Sequence, residues 1–191
     1  MERWAKALVV AVVVVGLFGC TKKQSEQAAP SGGAELGSVN GSASGVRWSV
    51  PKRWTPQGER QMRVATYSVP AAEGDSEPGE CAVFYFGNDQ GGSVDANIDR
   101  WVGQFENPGI PARATKEVNG LKTTLVQVSG IYLAPGGPMM QSQGKKSNYR
   151  LFGAIVQAPQ GAVFFKLTGP EKTIGAAEAE FNAMIGSLTK Q

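Results

Sequence analysis

Apolar and polar positions change their period several times along this chain of 191 residues. From Ala7 to Phe18 there is no period, only twelve apolar or small residues between Lys6 and the pair Lys22-Lys23. From Thr21 to Gly45 large apolar residues almost vanish, and Ser, Gly, Ala, Gln and Glu take over. A period of two starts at Val46: Val46, Trp48 and Val50 alternate with Arg47 and Ser49 up to Pro51, which predicts a first strand. Arg63–Val69 and Glu80–Phe86 predict two more strands, separated by an acidic loop over 71–79 that is rich in Gly and Pro.

The period then lengthens to that of a helix. Val94, Ile98, Trp101, Val102 and Phe105 form one stripe, with Ser93 placed to cap its start and Pro108-Gly109 to end it. Asn119-Gly120 supplies the two positive-φ residues of a type I′ turn, so 115–118 and 121–132 predict a hairpin. Residues 134–148 read as a loop that carries Lys145-Lys146. A second hairpin follows over 149–158 and 162–168, turning at Pro159-Gln160-Gly161. Pro170 suits a helix start, and Ile174, Ala177, Phe181, Met184, Ile185 and Leu188 line one face of a terminal helix. The order β-β-β-α-β-β-β-β-α predicts an α+β domain: an antiparallel sheet of six to seven strands with two helices packed on it.

The apolar run at the start is too short for a permanent span. Twelve helical residues rise about 18 Å against a hydrocarbon core of roughly 30 Å. Basic residues ahead of a short apolar stretch instead mark an export signal. Leu17-Phe18-Gly19-Cys20 resembles the bacterial lipobox, with Phe18 bulkier than the pattern's usual residue. The resemblance implies cleavage after Gly19, a diacylglyceryl thioether on Cys20 and attachment to a membrane through that lipid. In Gram-negative lipoproteins an Asp after the lipidated Cys signals inner-membrane retention. Thr21 stands there, so the expected site is the periplasmic side of the outer membrane. The chain then divides into a signal peptide (1–19), a lipidated Cys with a flexible tether (20–45) and one α+β domain (46–191).

Charge narrows the partners. Arg3, Lys6 and Glu2 leave with the signal, so 17 basic and 15 acidic side chains remain, a formal +2. The basic residues are scattered, which gives no footprint for nucleic acid. With Cys20 lipidated, Cys81 is the one remaining thiol, so no intramolecular disulfide forms and the fold must stand on its core. Cys81 lies in the apolar strand run Cys81–Phe86 and is expected to be buried and inert.

The segment Val46-Arg47-Trp48-Ser49-Val50-Pro51-Lys52-Arg53-Trp54, followed by strands and closed by a helix, resembles the PsbP/Mog1-like fold. The likeness spans 46–190 in element order, and in residues only the Trp48…Pro51…Trp54 motif. It implies a terminal helix laid over the sheet. Because such families include photosystem-associated and GTPase-binding proteins, it also implies a non-enzymatic binding module.

The chain contains no His. That removes Ser-His-Asp and Cys-His arrangements and most transition-metal sites, so no catalytic residue, metal or cofactor is expected. Gly87–Ser93 is a Gly-rich loop before a helix, but Gly92 is followed by Ser93-Val94 rather than the Lys-Ser/Thr of a phosphate loop. Asp89, Asp95 and Asp99 miss the EF-hand spacing. The residues with the chemistry for a ligand or partner contact are Asn97, Arg100 and Trp101. The expected function is a membrane-tethered, non-catalytic domain that binds a protein or other envelope component. The alternative is a small-ligand carrier or sensor with its pocket between the 87–93 and 134–148 loops.

Overall fold

The computed structural model describes residues 34–134 and 144–191. The segment read as a signal peptide, Cys20 and the centre of the 134–148 loop lie outside the described residues. In chain order the elements are β1 (Leu36–Ala43), β2 (Val46–Pro51), β3 (Thr55–Pro56), β4 (Ala65–Val69), β5 (Gly79–Tyr85), α1 (Val94–Val102) and β6 (Phe105–Glu106). They continue with β7 (Ala112–Val118), β8 (Leu121–Leu133), β9 (Lys145–Ala158), β10 (Gly161–Pro170), α2 (Glu171–Ala176), α3 (Glu178–Gly186) and β11 (Thr189–Lys190). An eight-stranded sheet runs β3-β4-β5-β10-β9-β8-β6 with β7 also on β8, and a three-stranded sheet runs β1-β2-β11. Every pairing is antiparallel. The α+β class stands, with more strands than six or seven and three helices instead of two among the described residues.

Alternation along β10 divides the core. Val163, Phe165 and Leu167 face one side, where Trp48, Tyr67, Phe152, Phe181, Met184 and Ile185 complete a large cluster under α2, α3 and the three-stranded sheet. Phe164 faces the other side with Leu151, Ile155, Val126 and Val128, covered by Ile98 and Trp101 of α1. All six apolar residues expected on the terminal helix face are buried, although the helix breaks at Ala177. Trp48 donates through Nε1 to Tyr67 Oη at 3.1 Å and meets Phe165 edge-on. Trp54 donates to Glu180 at 2.9 Å. The Trp motif therefore belongs to the large cluster, fully inside it.

Three expectations change. Residues 36–43, taken as tether, form β1. Ser44 and Gly45 both have positive φ and close a two-residue turn onto β2. Few apolar side chains announce β1; it is held by backbone pairing and by contact, because Gly41 lies on the Trp48 indole, where even a Cβ would approach within 2.3 Å. Helix α1 stops at Gly103 instead of Pro108, since Phe105–Glu106 leaves the helix to pair with Tyr132 and Ile131. Finally, Lys145-Lys146 is on β9 and not in a loop, paired with Leu133 and Tyr132.

Candidate functional site

Helix α1 covers only part of its face of the large sheet. Trp101 sits directly on Gly153, where the missing side chain lets the indole approach β9. The same face toward β4 is not covered by α1, although Thr66 and Ala82 on it are buried. Thr66, Ala82 and Lys166 lie side by side on β4, β5 and β10, and so do Ser68, Glu80 and Thr168. Together with Arg60, Arg63, Glu77, Phe84, Tyr132, Lys146 and Tyr149, part of this surface forms a cleft of about 370 Å³.

The cleft is built of ion pairs around one exception. Glu80 accepts from Arg60 at 3.0 Å and from Arg63 at 2.8 Å, and the Arg63 guanidinium also lies 5.6 Å over the Phe84 ring. Glu77 accepts from Lys146 and from the Tyr149 hydroxyl, each at 2.5 Å. These two bonds, Lys146 first, hold the Glu77 carboxyl below its ordinary pKa, and the same pairing raises that of Lys146. Burial, and then the hydrogen bond to Glu77, raises that of Tyr149. Lys166 is the exception: it has no carboxylate partner among the described residues. Its Nζ donates to Gln104 Oε1 at 2.6 Å and to Tyr132 Oη at 3.3 Å, and lies 5.5 Å from the Tyr132 ring centroid. Burial, with repulsion from Arg63 and against the opposing pull of Glu80, lowers Lys166 to about 8. Burial, with the nearby Glu80 charge, pushes Tyr132 up to about 12.

A bulge brings the two halves of the cleft together. Gly130 faces Tyr149 but Tyr132 faces Lys146, so β9 carries one extra residue there, and Asn148 takes φ 55°. An extra residue reverses the alternation, which places Lys146 and Tyr149 on one face.

The residues singled out in the sequence lie elsewhere. Asn97 is buried: Nδ2 donates to Gly91 O at 2.7 Å and Ser93 O at 2.9 Å, and Oδ1 accepts from Arg100 at 2.9 Å. Trp101 is buried in the α1–sheet packing, and Arg100 is exposed. Gly87–Ser93 contributes nothing to the cleft. Gly91 packs on Phe86 and Phe164, and Ser93 caps α1 through Oγ, accepting from Ala96 N at 3.2 Å. Asp95 is paired with Arg113. Among the described residues no group of three or more His, Cys, Asp or Glu forms that could hold a metal ion. Cys81 is fully buried, and burial raises its thiol pKa. Of the cleft, one signal was visible in the sequence: Lys166 is the sole charge in the otherwise apolar run Ala162–Leu167.

No family model and no curated protein matches this chain. Among solved structures it is similar to the solution structure of cyanobacterial PsbP (CyanoP) from Synechocystis sp. PCC 6803. The TM-score is 0.53 at 10% identity, over 85% of this chain and 96% of that one. A crystal structure from Pseudomonas aeruginosa, described as protein of unknown function PA94 and putative regulator, aligns with a TM-score of 0.45 at 14% identity. That alignment covers 76% of this chain and 91% of the other. The first likeness establishes a PsbP-like fold.

Proposed function

We propose that this chain is an exported lipoprotein, anchored through a lipid on Cys20, whose domain binds an envelope component without catalysis. The anchor is supported by the Leu17-Phe18-Gly19-Cys20 motif behind its short apolar run. Two or three acyl chains hold far better than one, at about 0.8 kcal/mol per buried methylene. Thr21 favours the periplasmic side of an outer membrane. The observation that carries the binding role is the cleft on the open part of the sheet. It is concave and polar, and Tyr132, Gln104 and the ion pairs hold its charged groups in place. Glu77 and Glu80 are both engaged by cations, which leaves neither free as a general base.

The test combines palmitate labelling with crosslinking and affinity purification from intact envelopes, on wild type, Cys20→Ser and Arg60→Glu. Label on wild type and not on Cys20→Ser, with a specific partner captured by wild type and lost in Arg60→Glu, is the expected result. Labelling that survives Cys20→Ser overturns the anchor. A partner captured equally by Arg60→Glu overturns the cleft as the docking surface.

A further inference from the structure

The cleft holds four cationic side chains, Arg60, Arg63, Lys146 and Lys166, against two carboxylates, Glu77 and Glu80. Lys146 and Glu77 neutralise each other, and both arginines contact Glu80, a trio that keeps one positive charge. The one cation of the cleft that no carboxylate contacts among the described residues, Lys166, is also the one placed between apolar or aromatic neighbours, Ala82, Phe84 and Tyr132. A second group in the cleft is unmatched. Thr168 Oγ1, two residues along β10 on the same face, is buried and finds no hydrogen-bond partner among the described residues. A buried hydroxyl without a partner is costly to the fold, so its presence calls for an explanation.

We propose that the cleft binds a carboxylate, which pairs with the Lys166 ammonium and accepts the Thr168 hydroxyl. The inference rests on the cleft being the docking surface and names the chemistry it takes. A carboxylate fits better than a phosphate. The selection rests on donors rather than net charge: one ammonium and one hydroxyl outside the ion pairs match the two oxygens of a carboxylate, whereas a phosphate calls for more donors, and the arginines that could supply them are engaged by Glu80. The partly apolar lining strengthens the new pair by lowering the local dielectric. Gln104 and Tyr132 hold the ammonium in position before anything binds.

The pairing carries a pH signature. An anion that needs charged Lys166 weakens as the free amine, at about 8, loses its proton. At pH 9 the loss relative to pH 7 is about tenfold. The other groups facing the cleft do not interfere in this window. Tyr132, Tyr149 and Lys146 are shifted up and Glu77 down, while Arg60, Arg63 and Glu80 face the cleft within their own ion pairs.

The experiment titrates the full chain with succinate, with a blocked hexaglutamate peptide and with inorganic phosphate, following the Lys166 ε-methylene and Tyr132 ring resonances. The expected result is a saturable shift with a carboxylate probe, about tenfold weaker at pH 9, several-fold weaker in Thr168→Val and restored in Thr168→Ser. In Lys166→Met, whose side chain keeps the length without the charge, the Tyr132 shift is lost while near-UV circular dichroism is unchanged. Tighter binding of the peptide points to side chains of a partner protein, and tighter binding of succinate to a free small acid; both support the inference. It is overturned if neither carboxylate probe gives a saturable shift, if phosphate binds tighter than both, or if Lys166→Met binds like wild type. Should Arg60→Glu abolish partner capture while Lys166→Met leaves it intact, the docking surface stands and the carboxylate falls.

Discussion

The rings of Tyr132 and Tyr149 stack with centroids 5.5 Å apart and planes 2° from parallel. They come from β8 and β9, and are not cross-strand partners: Tyr149 is opposite Gly130 and Tyr132 is opposite Lys146. The extra residue in β9 makes the stack, and Asn148 accommodates it at φ 55°. A β-branched residue resists that conformation by about 1–2 kcal/mol, whereas Gly accepts it freely. Asn148→Val is therefore expected to lose about that much stability in urea unfolding and to disturb the near-UV signal of the tyrosines, while Asn148→Gly keeps both. Equal behaviour of the two variants would remove the bulge as the cause of the stack.

Gly153 seats Trp101. A Cβ there meets indole carbons at 2.4 and 2.7 Å and Val126 Cγ1 at 2.8 Å. Overpacking of this kind costs about 1–3 kcal/mol. Gly153→Ala should lower the denaturation midpoint accordingly, and Trp101→Leu in the same chain should recover part of the loss. A double mutant whose losses simply add would show that the two residues do not share this contact.

Lys166 titrates near 8 when folded and near an ordinary lysine value when unfolded. Between these values the unfolded chain binds the proton and the folded chain does not, so stability gains as pH rises. Lys166→Met is expected to be more stable than wild type at pH 7, with the difference shrinking from pH 8 toward pH 10. Paired unfolding curves across that range check it; a difference that widens with pH would contradict the depressed pKa.

Cys81 offers a probe of opening. Its side chain is fully buried and its thiol pKa is raised, so the reactive thiolate is scarce and shielded. In a Cys20→Ser chain, alkylation should be negligible under native conditions and follow global unfolding in denaturant. Rapid native labelling would place a locally open state at β5.

The sequence announced elements whose signals are local. Asn119-Gly120 turns as its φ preferences dictate, Ser93 caps α1, and the apolar stripe from Ile174 to Leu188 faces the core. Strand β1 stayed hidden because most of its residues are small or polar, and what fixes it, the Trp48 ring under Gly41, comes from another strand. The cleft was harder still. Glu80, Lys146 and Lys166 are far apart in the chain and meet through the registers of β5, β8, β9 and β10, the β8–β9 one shifted by a bulge that no local pattern marks, and Arg63 joins them from the segment ahead of β4. Asn97 and Trp101 drew notice for their chemistry, but a helical stripe of this kind is used for packing.

The hairpin of β1 and β2 also sets how the domain answers a pull. Leu36 pairs with Pro51 at the open end of that hairpin, and Ala43 with Val46 at the closed end. Force entering along the chain ahead of Leu36 therefore loads the backbone bonds one after another, as in opening a zipper, instead of shearing them together. Eight residues can peel away, extending the chain by up to about 27 Å. The peeling then reaches Ser44, whose Oγ donates to Gly161 O at 2.6 Å and ties the turn to the large sheet. The first strand is thus a compliant spring in series with a stiff body, yielding before the core and the cleft bear any strain.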